Sequence, residues 1–168
     1  MSLNPVFVMV FAGNCSHCKD FKKKSLEELR KSLKSYPGVT PIEYNINTIG
    51  EDLPSDAPED LKRFVKFYPF FLLVSGAVWN EAKNGGKLRN VLLYGATITP
   101  DEKIVILPHK LTKDSLMEWV RNNVEHDVNL KSTSSSKQES QSSSSSAAEA
   151  KMIPTEGSVC SFKILSKR

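Results

Sequence analysis

Residues 7–21 read FVMVFAGNCSHCKDF, an apolar run that passes through a short turn into two cysteines separated by two residues. From 6 to 11 the run is unbroken and partly β-branched, as expected of a strand covered on both faces of a sheet. From Ser16 the apolar period moves towards 3.6. Phe21, Leu26, Leu29 and Leu33 gather on one face, while Lys22, Lys23, Glu27, Arg30 and Lys34 point away, up to Pro37-Gly38. Cys15 therefore falls where a strand gives way to a helix, beside unpaired backbone N–H groups and the positive end of the helix dipole. That setting favours a thiolate at Cys15, and Cys18, nearly one turn on, is placed to close a disulfide with it. A protonated His17 near the sulfur adds to the effect. Because it favours the reduced pair, it makes Cys15-Ser16-His17-Cys18 a stronger oxidant than a motif with an apolar residue at that point.

The motif admits two other readings. Free cysteine is among the most buried residue types, and a lone C-x-x-C arises by chance. A structural zinc site needs four ligands, whereas the sequence offers one C-x-x-C, a distant Cys160, and His17, His109 and His126 without a second pair at ligand spacing. Position favours the redox reading, since a strand before and a helix after are the context that this motif requires.

Downstream, residues 39–47 alternate Ile42, Tyr44 and Ile46 with polar neighbours, a second strand despite Pro41. Strand, helix and strand predict a parallel pair joined by a right-handed crossover. An acidic, proline-containing loop at 50–58 leads into a short helix over 59–67, with Leu61, Phe64 and Val65 inward, stopped by Tyr68-Pro69. Residues 70–74 and 91–94 read as third and fourth strands of an antiparallel hairpin, with Gly85-Gly86 in the turn at 82–87, and 103–107 as an extra edge strand. Thr112 is suited to cap a last helix with Leu116, Trp119, Val120 and Val124 on one face. The predicted class is α/β: a mixed central sheet of about four strands with helices on both faces.

The 168 residues suit one domain, placed at 1–130, and a tail at 131–168. Ten serines fill positions 132–146, where no aliphatic or aromatic side chain could offset ordering entropy, so a disordered tether is expected before a basic, partly apolar terminus. The domain is close to neutral, with 17 Lys+Arg against 16 Asp+Glu, and the tail holds 6 against 3. The excess of positive charge is thus mostly a tail property, and Lys22-Lys23-Lys24 reads as a solvated helix face, so no nucleic-acid partner is expected. Three cysteines make no disulfide framework, the run at 6–11 is too short to span a bilayer, and residues 1–4 lack the charge of an export signal. A cytoplasmic monomer is the expectation, without a membrane partner; virion association would suit a cytoplasmic virus as source. In such a reducing setting a close cysteine pair is more often catalytic or metal-binding than structural.

Residues 7–19 and the run Val65-Lys66-Phe67-Tyr68-Pro69-Phe70-Phe71-Leu72-Leu73 together resemble the thioredoxin superfamily, in its active-site segment and the stretch carrying its cis-proline. Tyr94-Gly95 and residues 111–122 resemble the last strand and helix of protein disulfide isomerase catalytic domains. The resemblance covers about residues 5–125, and with nothing ahead of Val6 for a first strand and helix, it is to the shorter, glutaredoxin-like core. It implies a thiol–disulfide oxidoreductase acting on protein disulfides or dithiols. Cys15 would be the nucleophile, Cys18 the resolving thiol and His17 the tuning residue. Tyr68-Pro69 would be a cis bond that, with Asn14, shapes the substrate groove. No metal or other cofactor is implied beyond a redox-active Cys15–Cys18 disulfide, and the partners are protein thiols and disulfides and a redox partner. The sequence departs from the family at Asn14, where Trp is common, at Met9, where a buried carboxylate is usual, and at Phe70, where Thr is usual. No charged triplet suited to glutathione is visible. Those departures also fit a redox-weak binding or scaffold module that presents Cys160 or the terminal peptide to a partner.

Overall fold

The strand β1 (Val6–Ala12) is buried at every position and lies inside a four-stranded sheet ordered β2-β1-β3-β4. The computed structural model describes residues 3–127 and residue 130. The predicted tether, its terminus and Cys160 fall outside the described residues, and the domain boundary placed at 130 lies at their edge. The parallel partner of β1 is β2 (Thr40–Ile46), with Val6 opposite Thr40 and Ala12 opposite Ile46. On its other side β3 (Phe70–Val74) runs antiparallel, and β4 (Leu92–Leu93) pairs antiparallel with β3.

Because successive strand residues face opposite ways, the sheet divides the core in two. Phe7, Met9, Phe11, Phe71 and Leu73 meet α1 (Ser16–Phe21), α2 (Glu27–Lys34) and α4 (Lys113–His126) on one face. The other face carries Val6, Val8, Val10, Phe70, Leu72 and Val74 against Leu61, Phe64, Trp79 and Leu88. Helices cover both faces, as the continuous apolar strands require. Among the described residues no helix is long and apolar enough to cross a membrane.

The helix after the cysteine motif is not uniform. A π-helical turn, Lys22–Leu26, joins α1 to α2. The spacing explains it: five residues of α-helix rotate by about 500°, which would leave Leu26 about 140° round from Phe21. A wider turn brings Phe21 and Leu26 into phase, and both are buried in the same cluster with Leu29 and Leu33.

Three expectations are corrected. Residues 82–87 are not a hairpin turn: β3 and β4 do pair, but α3 (Gly76–Lys83) lies between them. Ser75 caps it by accepting the Val78 N–H at 3.3 Å, and Trp79 and Ala82 pack on the sheet. Only Ser75-Gly76 separates the apolar residues of the strand from Ala77, Val78 and Trp79 of the helix, too short a gap for periodicity alone to divide. The helix expected over 59–67 is a 3-10 turn, Glu59–Arg63. Tertiary bonds hold it short: the Asp60 carboxylate accepts the Leu88 N–H at 2.7 Å, and the Arg63 guanidinium donates to the Leu88 carbonyl at 2.7 Å. Finally, 103–107 does not join the main sheet. There β6 (Ile104–Ile106) pairs with β5 (Ala96–Ile98) as a separate antiparallel ribbon. The chain leaves β4 at Gly95, whose φ of +71° suits glycine and where a Cβ would lie 2.2 Å from His109 Nδ1.

Candidate active site

Cys15 is the N-cap of α1, with extended backbone (φ −91°, ψ 118°) and its sulfur accepting the Cys18 N–H at 3.2 Å. A serine or aspartate commonly fills that capping role; here a sulfur takes one of the orphan donors of the first turn. As a thiol, Cys15 donates in turn to the Tyr68 carbonyl at 3.7 Å, a contact between residues 53 apart in sequence. The Tyr68-Pro69 bond is cis, as the resemblance predicted. Cys15 and Cys18 are free thiols, 6% and 0% exposed.

Burial is the main cause that pushes the Cys18 thiol up to about 12, and its hydrogen bond with Cys15 adds to this. The Ala12 backbone and the Lys22 charge act the other way. The Tyr68 hydroxyl is also shifted upward, first by burial and then by the charge of Cys18, so the tyrosine lies within electrostatic reach of the pair. Met9 shares the buried cluster with both cysteines, and its thioether brings no titratable group to it.

The loop holding Cys15 is laced to the end of β2. Gly13 N–H donates to the Ile46 carbonyl at 2.9 Å, Asn14 N–H to the Asn47 carbonyl at 3.1 Å, and the Asn14 side-chain oxygen accepts the Ile49 N–H at 2.9 Å. A Cβ at residue 13 would stand 2.8 Å from the Asn47 carbonyl oxygen, so glycine is what allows the two loops to meet.

The structure thus brings Cys15, Cys18 and Tyr68 together, with Pro69 buried behind Tyr68. His17 is on the exposed side of α1, and among the described residues no hydrogen bond joins its ring to either sulfur. Asn14 is exposed next to Cys15, but its side-chain oxygen is engaged by Ile49.

Two neighbours were not legible as site residues. Lys22, read as part of a solvated face, is held 5.0 Å above the Phe11 ring and donates to the Asn45 side chain. Asn45 donates to Glu43 at 3.0 Å, and Glu43 is paired with Arg30 at 2.8 Å. The i to i+4 spacing from Cys18 was the available signal. Ile49 had a weaker one, an apolar residue at the tip of a polar turn.

The order β2-β1-β3-β4, the parallel β1–β2 pair, the antiparallel return through β3 and β4, and a helix starting at the end of β1 make this a thioredoxin-like fold. No family model matches the chain, and no curated protein matches it. Among solved structures it is similar to the first thioredoxin domain of mouse protein disulfide-isomerase A4, at 16% identity, over 84% of this chain and 76% of that one, with a TM-score of 0.40.

Proposed function

We propose that the chain is a thiol–disulfide oxidoreductase acting on protein disulfides and dithiols. The observation that carries this reading is the placement of Cys15 Sγ, capping α1 through the Cys18 N–H at 3.2 Å and facing the Tyr68 carbonyl at 3.7 Å. A thiolate at Cys15 would meet a backbone donor and the positive end of the helix, in a niche shared with a second thiol.

In the reductive direction the Cys15 thiolate attacks one sulfur of a substrate disulfide. The Cys15–substrate bond forms, the substrate S–S bond breaks, and the other substrate sulfur leaves as a thiolate. Cys18 then gives its proton to that leaving thiolate and attacks Cys15 Sγ. The Cys15–Cys18 disulfide forms and the second substrate sulfur is released. Two electrons pass to the substrate, and a partner dithiol must return them before another cycle. The exposed His17, when charged, favours the reduced pair. Tyr68 and Asn14 flank the place where substrate would bind.

Cys18→Ala removes the resolving step and should accumulate proteins disulfide-linked to Cys15, released by dithiothreitol. The wild-type dithiol should reduce insulin disulfides, and Cys15→Ala should abolish both results. A wild type that neither reduces insulin nor, as Cys18→Ala, retains any protein would favour the redox-weak binding module. Met9 in the same buried cluster as a thiol pushed up to about 12 is the observation on that side.

A further inference from the structure

We propose that Ile49 is the apolar contact that seats a substrate polypeptide beside Cys15, so that the site prefers extended chains with an apolar residue next to the target cysteine. The inference rests on the oxidoreductase reading and specifies its substrate class. Large exposed apolar side chains among the described residues are Leu3, Ile49, Val105, Ile106 and Leu107. Of these, Ile49 is the one whose backbone is bonded to the cysteine loop, through the side chain of the residue that immediately precedes Cys15.

The exposure of Ile49, at 52%, is held in place by the turn that carries it. Asn47 N–H donates to the Glu51 carboxylate at 3.0 Å, Glu51 N–H closes the turn on the Thr48 carbonyl at 3.1 Å, and Gly50 follows Ile49 with a φ of +95°. The backbone bonds of Gly13 and Asn14 to Ile46 and Asn47 then fix that turn against the active-site loop. The isoleucine is thus presented to solvent on a turn whose backbone is bonded to the Asn14 side chain at 2.9 Å. Consecutive Cα atoms are about 3.8 Å apart, so the side chain next to a sulfur lying on Cys15 is carried along the cysteine loop to which the Ile49 turn is bonded. Asn14 itself is committed to the Ile49 N–H, and Ile49 adds an exposed aliphatic surface to the half-buried Tyr68 whose carbonyl meets Cys15. Covering the exposed half of an isoleucine corresponds to roughly a tenfold gain in affinity.

The experiment uses the full chain and two otherwise identical extended peptides. Each has one cysteine, blocked as a mixed disulfide with 2-nitro-5-thiobenzoate, and either Leu or Ser adjacent to it. Wild type should prefer the Leu peptide by about tenfold in kcat/KM, the difference lying in KM. Ile49→Ser should bring that ratio close to one, and Ile49→Leu should keep it. An unchanged preference in Ile49→Ser overturns the assignment, as does equal use of both peptides by wild type. If the dithiol protein attacks neither peptide faster than free dithiothreitol does, the oxidoreductase reading itself falls and takes this one with it.

Discussion

At the scale of single residues, the two thiols of the motif differ in what surrounds them. Cys18 is fully buried and raised from an ordinary 9.0 to about 12, so in the free dithiol it stays protonated at neutral pH. Iodoacetamide at pH 7 should therefore label Cys15 and leave Cys18 until the protein unfolds, as peptide mapping would show. The same shift couples to stability. A thiol held above its unfolded value stabilises the fold in full below about 9, and the contribution is lost as pH rises towards 12. Tyr44, also pushed up to about 12 by burial, acts with the same sign. The reduced protein should accordingly lose urea resistance between those values, and Cys18→Ala should show a shallower decline. The role proposed for His17 is to tune the potential of the pair. Replacing it with Leu removes the imidazole proposed to favour the reduced state, so the pair should become more reducing by about 30 mV, tenfold in its equilibrium with glutathione. An unchanged potential would take His17 out of the site.

Among the elements, helix ends decide most of what matters for the site. α1 starts on a sulfur cap, and α4 starts on Thr112, whose hydroxyl accepts the Ser115 N–H at 3.2 Å. The Thr112 cap is remote from the cysteines in sequence and was legible in advance. Thr112→Ala should cost about 1 kcal/mol in urea unfolding, with little change in the rate of Cys15 alkylation. The π-helical turn has a weaker signature in the sequence, the five-residue gap from Phe21 to Leu26. Helix α3 was hidden for a different reason, since Val78 and Trp79 extend an apolar stretch that began in β3.

For the molecule as a whole, Phe71 joins the layers. Its ring meets Phe7 at 6.0 Å, Phe21 at 5.5 Å, Phe11 at 6.1 Å and Tyr94 at 6.1 Å, which ties β1, α1 and the end of β4 to β3. Phe71→Ala should cost about 3–5 kcal/mol, a large share of the 5–15 kcal/mol typical of a folded domain. An unfolding free energy within about 1 kcal/mol of wild type would show that the sheet and its helices do not depend on this ring.

The continuous apolar run of β1, the amphipathic period after Ser16 and the cysteines at their junction were enough to predict a covered sheet with a thiol at a helix start. Those are local properties, set by side-chain polarity and by backbone groups within one turn of each other. Whether Tyr68 reaches Cys15, which loop Asn14 holds and where β5 and β6 pair depend on contacts between residues far apart in the chain, 53 positions in the first case. Such contacts are chosen by how whole layers pack and by which backbone groups find partners there, and only the folded chain expresses that choice.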